Sequence, residues 1–100
     1  MTTAGEETHI IHQRDENRYD IFLGSARGAY AEYELADGVM TMTHTVTDPQ
    51  QRGQGLAGLV VGRALDDAKA AGLTVVPQCW YVAQFIERHP EYATLLRSAT

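Results

Sequence analysis

A chain of 100 residues with 8 basic and 13 acidic side chains carries a net charge of -5 and is 44% hydrophobic and 21% charged. That size and balance fit one globular domain with its own core, too small for the two halves of a dinucleotide-binding fold. The acidic excess opposes binding to a phosphate backbone, so no nucleic-acid partner is expected, and the single cysteine, Cys79, excludes an internal disulfide or a cysteine-based zinc cluster.

The first seven residues are small and acidic and read as a loose tail, with one domain following over residues 8–100. They have neither the basic nor the apolar region of a signal segment, and the longest small or apolar run, residues 56–62, is too short to span a bilayer. With one cysteine, this makes the expected compartment cytosolic and removes the membrane from the expected partners. A first strand is expected over His9 to Gln13, a polar turn at Asp15-Glu16-Asn17, and a second strand in which Tyr19, Ile21 and Leu23 alternate with Asp20 and Phe22. Gly24 and Gly28 are read as bracketing the next turn. A third strand then places Ala29, Ala31, Tyr33 and Leu35 on one face and Glu32 and Glu34 on the other. Asp37-Gly38 makes a tight hairpin, because both central positions tolerate positive φ. The fourth strand, Val39 to Thr47, is expected to hold Met40, Met42, His44 and Val46 on one face and its threonines on the opposite one.

From Leu56 to Ala71 the period changes. Leu56, Val60, Ala64 and Ala68 form one stripe, flanked by Ala57, Val61 and Leu65, while Arg63, Asp66, Asp67 and Lys69 look outward, which predicts an amphipathic helix on the sheet. Gly72 caps it, and a short fifth strand, Leu73 to Val76, is stopped by Pro77. Gly58 and Gly62 inside the helix cost about 1 kcal/mol each relative to alanine, so a close approach by another element is expected there. Two short helices, Trp80 to Arg88 and Glu91 to Arg97, complete an α/β (α+β) chain.

Between strand and helix, Gln50-Gln51-Arg52-Gly53-Gln54-Gly55-Leu56-Ala57 is a glycine-rich loop opening a helix. Two glycines one residue apart let a backbone approach a ligand, and the first helical turn adds unpaired N–H groups and the positive dipole end, which suits phosphate. Gly53, Gly55 and Gly58 match the spacing of the dinucleotide fingerprint, but that fingerprint requires a parallel sheet and an acidic residue ending the next strand; here the strand ends Val76-Pro77-Gln78. A Walker loop is excluded by Gln54-Gly55-Leu56 standing where Gly-Lys-Ser/Thr is required. A turn that binds nothing is the alternative on spacing alone.

Gln50-x-x-Gly53-x-Gly55 resembles the Gln/Arg-x-x-Gly-x-Gly/Ala signature of the GNAT N-acetyltransferase superfamily. Together with His44-Thr45, Val76-Pro77-x-Cys79-x-Tyr81-Val82, Phe85-Ile86 and His89-Pro90-Glu91-Tyr92, the chain is similar to the small YjdJ-like GNAT domains from about Ala31 to Leu96. Two positions depart from that pattern: Thr47 replaces an apolar residue, and Trp80 replaces a small residue after Cys79. The resemblance implies a minimal GNAT-like fold: a mostly antiparallel, splayed sheet of about five strands, one long helix after the glycine loop, and short C-terminal helices. It also implies acetyl-CoA as cofactor, its pyrophosphate on Arg52, Gly53, Gln54, Gly55, Leu56 and Ala57 and its pantetheine arm on the backbone of Thr45, Val46 and Thr47, with the thioester directed to Cys79. No metal is implied.

Acyl transfer to an amine requires a free lone pair, and a lysine-like amine costs roughly 4–5 kcal/mol to hold neutral at pH 7. His44 is the candidate base by its place in the fourth strand, against a histidine simply buried beside Met42 and Val46. Cys79 is a candidate nucleophile, a residue near the thioester without covalency, or a small buried hydrophobe. Tyr81 and Tyr92 are candidates to protonate the departing thiolate. The expected acceptor is a small amine or an exposed protein lysine, and the expected state a monomer or weak dimer. Two other readings stand beside the acetyltransferase: a module that binds or senses CoA without turnover, and a structural partner protein with an emptied site.

Overall fold

Alternating apolar residues in the first half and a helical stripe in the second produce a sheet with its helices behind it. The computed structural model describes residues 8–96. Strands β1 (Thr8–Gln13), β2 (Arg18–Leu23), β3 (Ala26–Ala36) and β4 (Val39–Thr47) are followed by helix α1 (Leu56–Ala70), β5 (Thr74–Pro77), helix α2 (Trp80–Arg88) and a 3-10 segment, Pro90–Leu95. The sheet has five strands in chain order, β1 to β4 antiparallel and β4–β5 parallel. The parallel pair follows from α1, which carries the chain back along the sheet before β5 begins.

The turns obey their residues. Asp37 and Gly38 both take positive φ, 53° and 77°, which closes the β3–β4 hairpin; Asn17, at 52°, ends the 3-10 turn Arg14–Glu16 before β2. Leu56, Val60, Val61, Ala64, Leu65 and Ala68 of α1 are buried against Tyr19, Ile21, Ala29, Ala31, Tyr33, Met40, Met42 and Val75 on one sheet face. Burying each large aliphatic side chain there contributes roughly 1.5–3 kcal/mol, which outweighs the helical cost of the two glycines. Those glycines face α2 only at ordinary contact distance, with room for a methyl group: a Cβ at Gly58 would lie 3.5 Å from the Tyr81 hydroxyl, and one at Gly62 would lie 3.7 Å from the Phe85 ring. So α2 packs along α1 through Tyr81 and Phe85.

Four sequence expectations change. Gly28 lies within β3, as the extra residue of a bulge where Ile21 pairs with Ala29 and Phe22 with Arg27; a Cβ there would collide with Leu56. Pro77 ends β5 inside the ladder, opposite Met42, which is permitted at a sheet edge. The third change concerns β4. Glu32 pairs with His44 but Tyr33 pairs with Met42, so Thr43 is a bulge residue and the alternation slips by one. Met40 and Met42 face the core as expected, whereas His44 and Val46 turn to the outer face and Thr45 and Thr47 take their place on the helix side. The 3-10 segment replaces the expected last helix, and Leu96 bridges to Val75 beside it.

The outer sheet face carries one fully buried charge. Asp20, 1% exposed, accepts from Arg18 Nε at 3.0 Å and Arg27 Nη1 at 3.2 Å, so the carboxylate is paired rather than stranded. No helix among the described residues is long and apolar enough to cross a membrane. The expected tail, residues 1–7, lies outside the described residues.

Candidate functional site

The ladder between β4 and β5 stops at Met42–Pro77, while β4 continues to Thr47. There the Cys79 N–H donates to the Met42 carbonyl at 2.9 Å, and beyond it residues 43–47 keep only β3 as a ladder partner. The two strands therefore form a fork with backbone groups of β4 free along one edge. The Thr43 bulge sets what lines it. Thr45 now points to the helix side, and the Cys79 thiol lies 3.7 Å from the Thr45 hydroxyl across the fork. Val46 turns its side chain to the outer face, so only its backbone borders the opening.

At the end of β4 the chain makes a 3-10 turn, Pro49–Gln51, capped by Asp48, whose Oδ1 accepts the Gln50 N–H at 2.9 Å. Arg52 to Gly55 follow, with Gly53 and Gly55 at φ 83° and 72° and nothing within 4 Å of where a Cβ on either would stand. Gly55 is the N-cap of α1, and no side chain caps that end. Its first N–H groups, at Leu56, Ala57 and Gly58, are therefore left for a ligand, with the positive end of the helix dipole behind them. Gln54 Nε2 donates to Gln51 Oε1 at 3.0 Å and holds the loop to the preceding turn.

Two adjoining hollows open here and share Gly55, Gly58 and Tyr81. One, about 250 Å3, reaches from Thr47 and Arg52 over Gly53 to Leu56 and Ala57. The other, about 450 Å3, runs between α1 and α2 past Leu59, Gln84, Phe85, Arg88 and His89. Neither Arg52 nor Arg88 is in an ion pair among the described residues, so two guanidiniums border the hollows with their charge unspent. An open glycine cradle, uncapped helical N–H groups and two unpaired guanidiniums fit a phosphorylated ligand.

The sequence-derived site residues divide. Thr45, Thr47, Arg52, Gly53, Gly55, Leu56, Ala57 and Cys79 come together around the fork and the first hollow. His44 does not join them. Its exposed ring lies on the outer face with Nδ1 3.5 Å from Glu32 Oε1, so it is neither buried beside Met42 nor facing Cys79. Tyr81 borders both hollows, and burial raises its phenol above the ordinary range, which keeps it protonated at neutral pH. Tyr92 lies elsewhere and donates to Asp66 Oδ1 at 2.7 Å. Phe85, Gln84 and Arg88 are additions that sequence reasoning missed. The signal was present in two glycines four apart in α1 facing two aromatics four apart in α2.

The sequence profile of GCN5-related N-acetyl-transferases matches residues 18–95, and the chain belongs to that family. In overall fold it is similar to a GCN5-like N-acetyltransferase candidate from Staphylococcus aureus, solved in solution, with a TM-score of 0.69 at 17% identity over 97% of this chain and 93% of that one. It is also similar to the ribosomal-protein-S18-alanine N-acetyltransferase of Escherichia coli, with a TM-score of 0.56 at 14% identity over 72% of this chain and 43% of that one. At such identities these two likenesses concern the fold.

Proposed function

We propose that this chain transfers an acetyl group from acetyl-CoA to a primary amine, an exposed lysine or a small amine, by way of Cys79. The observation that carries the proposal is the fork: it opens beside a phosphate cradle, and the Cys79 thiol stands in it next to Thr45. In this reading Gly53, Gly55, Arg52 and the N–H groups of Leu56, Ala57 and Gly58 hold the diphosphate. The free edge of Thr45, Val46 and Thr47 takes the pantetheine arm. Phe85, Gln84 and Arg88 line the place for the nucleotide end, where the Arg88 guanidinium is a partner for the remaining phosphate.

The bound thioester supplies the acetyl group. The residues lining the first hollow include no carboxylate or imidazole, which favours a nucleophile on the protein over a base acting on the amine directly. Cys79 is the N-cap of α2, so its sulfur is held at the start of that helix. The Cys79 sulfur attacks the acetyl carbon, a bond to Cys79 forms as the thioester C–S bond breaks, and the Cys79 proton passes by way of the Tyr81 hydroxyl to the departing thiolate. The amine lone pair then attacks the acetyl-cysteine, forming the amide as the C–S bond to Cys79 breaks, while the amine proton passes by way of Tyr81 to the released Cys79. His44 has no part in these steps and is read as a surface pair with Glu32.

Calorimetric titration with CoA and intact mass after incubation with acetyl-CoA test this together. The expected result is saturable CoA binding and one added acetyl group that Cys79→Ala abolishes while CoA still binds. Binding and turnover without that adduct would replace the relay by direct transfer. Binding with neither adduct nor turnover on any amine would make the chain a CoA-binding module, and no binding would remove the proposal.

A further inference from the structure

The far half of α1 covers another hollow, of about 460 Å3, closed by residues of β1 to β4 and of the last turns of α1. It is separate from the cleft. Asp67 in this hollow stands twelve residues along α1 from Gly55 in the cradle, roughly 18 Å at the rise of an α-helix. Along β4, buried Met42 stands between Met40, which lines the hollow, and Thr45 beside Cys79.

Three rings make its wall. His12 and Tyr19 stack with centroids 3.9 Å apart and planes 11° apart, and Tyr33 leans on each at 5.8 Å. Leu35, Met40 and Leu73 complete an apolar lining, and Leu35 is 51% exposed on a strand face that elsewhere is core. The carboxylate present is already satisfied: Asp67 accepts from the Tyr19 hydroxyl at 2.9 Å and from Arg63 Nε at 3.2 Å. One polar group is not. His12 gives Nε2 to the Tyr33 hydroxyl at 2.7 Å, but its Nδ1 is buried without a partner among the described residues. Arg14, at the rim, is in no ion pair among them. The buried unpartnered nitrogen is a cost to the free protein that folding alone does not account for. Burial and the nearby Arg14 lower the His12 pKa, so the imidazole is neutral at pH 7 and the hollow with its rim carries one net positive charge, that of Arg14.

We propose that this hollow binds a small aromatic carboxylate, its ring laid against Tyr33, Leu35 and Met40 and its carboxylate paired with Arg14. The rings and aliphatic side chains select a flat apolar body, and the unpaired guanidinium selects the anion over the amine. A cationic guest would meet Arg14 and Arg63, with the single carboxylate already engaged.

An NMR chemical-shift titration of the whole chain with benzoate, and with benzylamine of the same shape and opposite charge, tests the proposal. Benzoate is expected to shift His12, Tyr33 and Leu35 saturably, in the free protein and equally with CoA in excess, while Gly53 and Gly55 stay in place. Arg14→Gln, an exposed change, is expected to weaken it at least tenfold. Ala70→Trp, which places a ring in the hollow from an exposed position, should abolish the shifts with the fold retained. The proposal is overturned by absence of saturable shifts, by benzylamine binding as tightly, by an unchanged affinity in Arg14→Gln, or by shifts that CoA removes.

Discussion

Replacing Gly55 by alanine separates the cradle from the backbone when the same change is made at Gly24. Both glycines sit in the left-handed region, at φ 72° and 60°, and an added Cβ has nothing within 4 Å at either. The fold therefore bears the same conformational cost at both, roughly 1–2 kcal/mol for an L-residue in that region. In a domain this small, each kcal/mol lowers Tm by about 4–8 °C. The two positions differ only in what the empty space is for. Gly55 borders both hollows of the cleft, whereas Gly24 lies in the β2–β3 turn and borders neither. Differential scanning calorimetry should give two variants of matching Tm. Titration with CoA should give the parent affinity for Gly24→Ala and at least a tenfold loss for Gly55→Ala, because the new methyl occupies space next to the helical N–H groups. Equal CoA affinity in the two variants would refute the placement of the ligand at this loop.

Three further outcomes are expected. Asp20→Ala leaves Arg18 and Arg27 without their buried partner and should cost roughly 3 kcal/mol in urea unfolding, the low end for a broken buried pair because both guanidiniums reach water; a loss under 1 kcal/mol would mean the pair is not formed. Gly62→Ala meets Phe85 at an ordinary 3.7 Å, so helix propensity should prevail and raise stability by up to about 1 kcal/mol. Donation to Asp66 raises the Tyr92 phenol to about 12, and burial with donation to Asp67 raises Tyr19 as well. A pKa raised on folding gives stability that is complete below the unfolded value of 10 and is lost as pH climbs through the folded one. Tm should therefore fall from about pH 10 upward, less steeply in Tyr92→Phe, and a flat Tm through pH 12 would contradict the hydrogen bond.

How far the site is legible in the sequence depends on where its determinants lie. The glycine loop, the long helix and α2 are local: turn-forming residues, a helical stripe and a breaking proline are written in adjacent positions, and Trp80–Arg88 lies where its pattern puts it. The faces of β4 are not local. His44 shares the alternation of Met40 and Met42, and nothing in Thr41 to Thr47 marks Thr43 as the residue that falls out of register. The bulge falls where β4 keeps β3 as its ladder partner while the pairing with β5 ends at Met42. A strand that must serve two different neighbours along its length cannot be read from its own residues. Gly28 makes the same point from the other side. It has the look of a turn residue, yet it is needed in a strand because Leu56, at the start of a helix 28 residues later, fills the space of its side chain.

Net charge is the other place where a whole-chain property says little about a site. The chain is acidic by five charges, but the described structure distributes them unevenly. Asp20 and Asp67 are engaged by arginines, and Glu32 and Glu34 lie on the outer sheet face, while Arg52 and Arg88 stand unpaired at the cleft on the helix side. The charge beside the glycine loop is therefore set by these guanidiniums and the uncapped helical N–H groups, and the sign of the whole chain does not report it. The sheet thus has a helix side, where the glycine loop opens, and an outer side, where Glu32 and Glu34 lie. The Thr43 bulge determines which side chains of β4 belong to each, giving Thr45 and Thr47 to the first and His44 to the second.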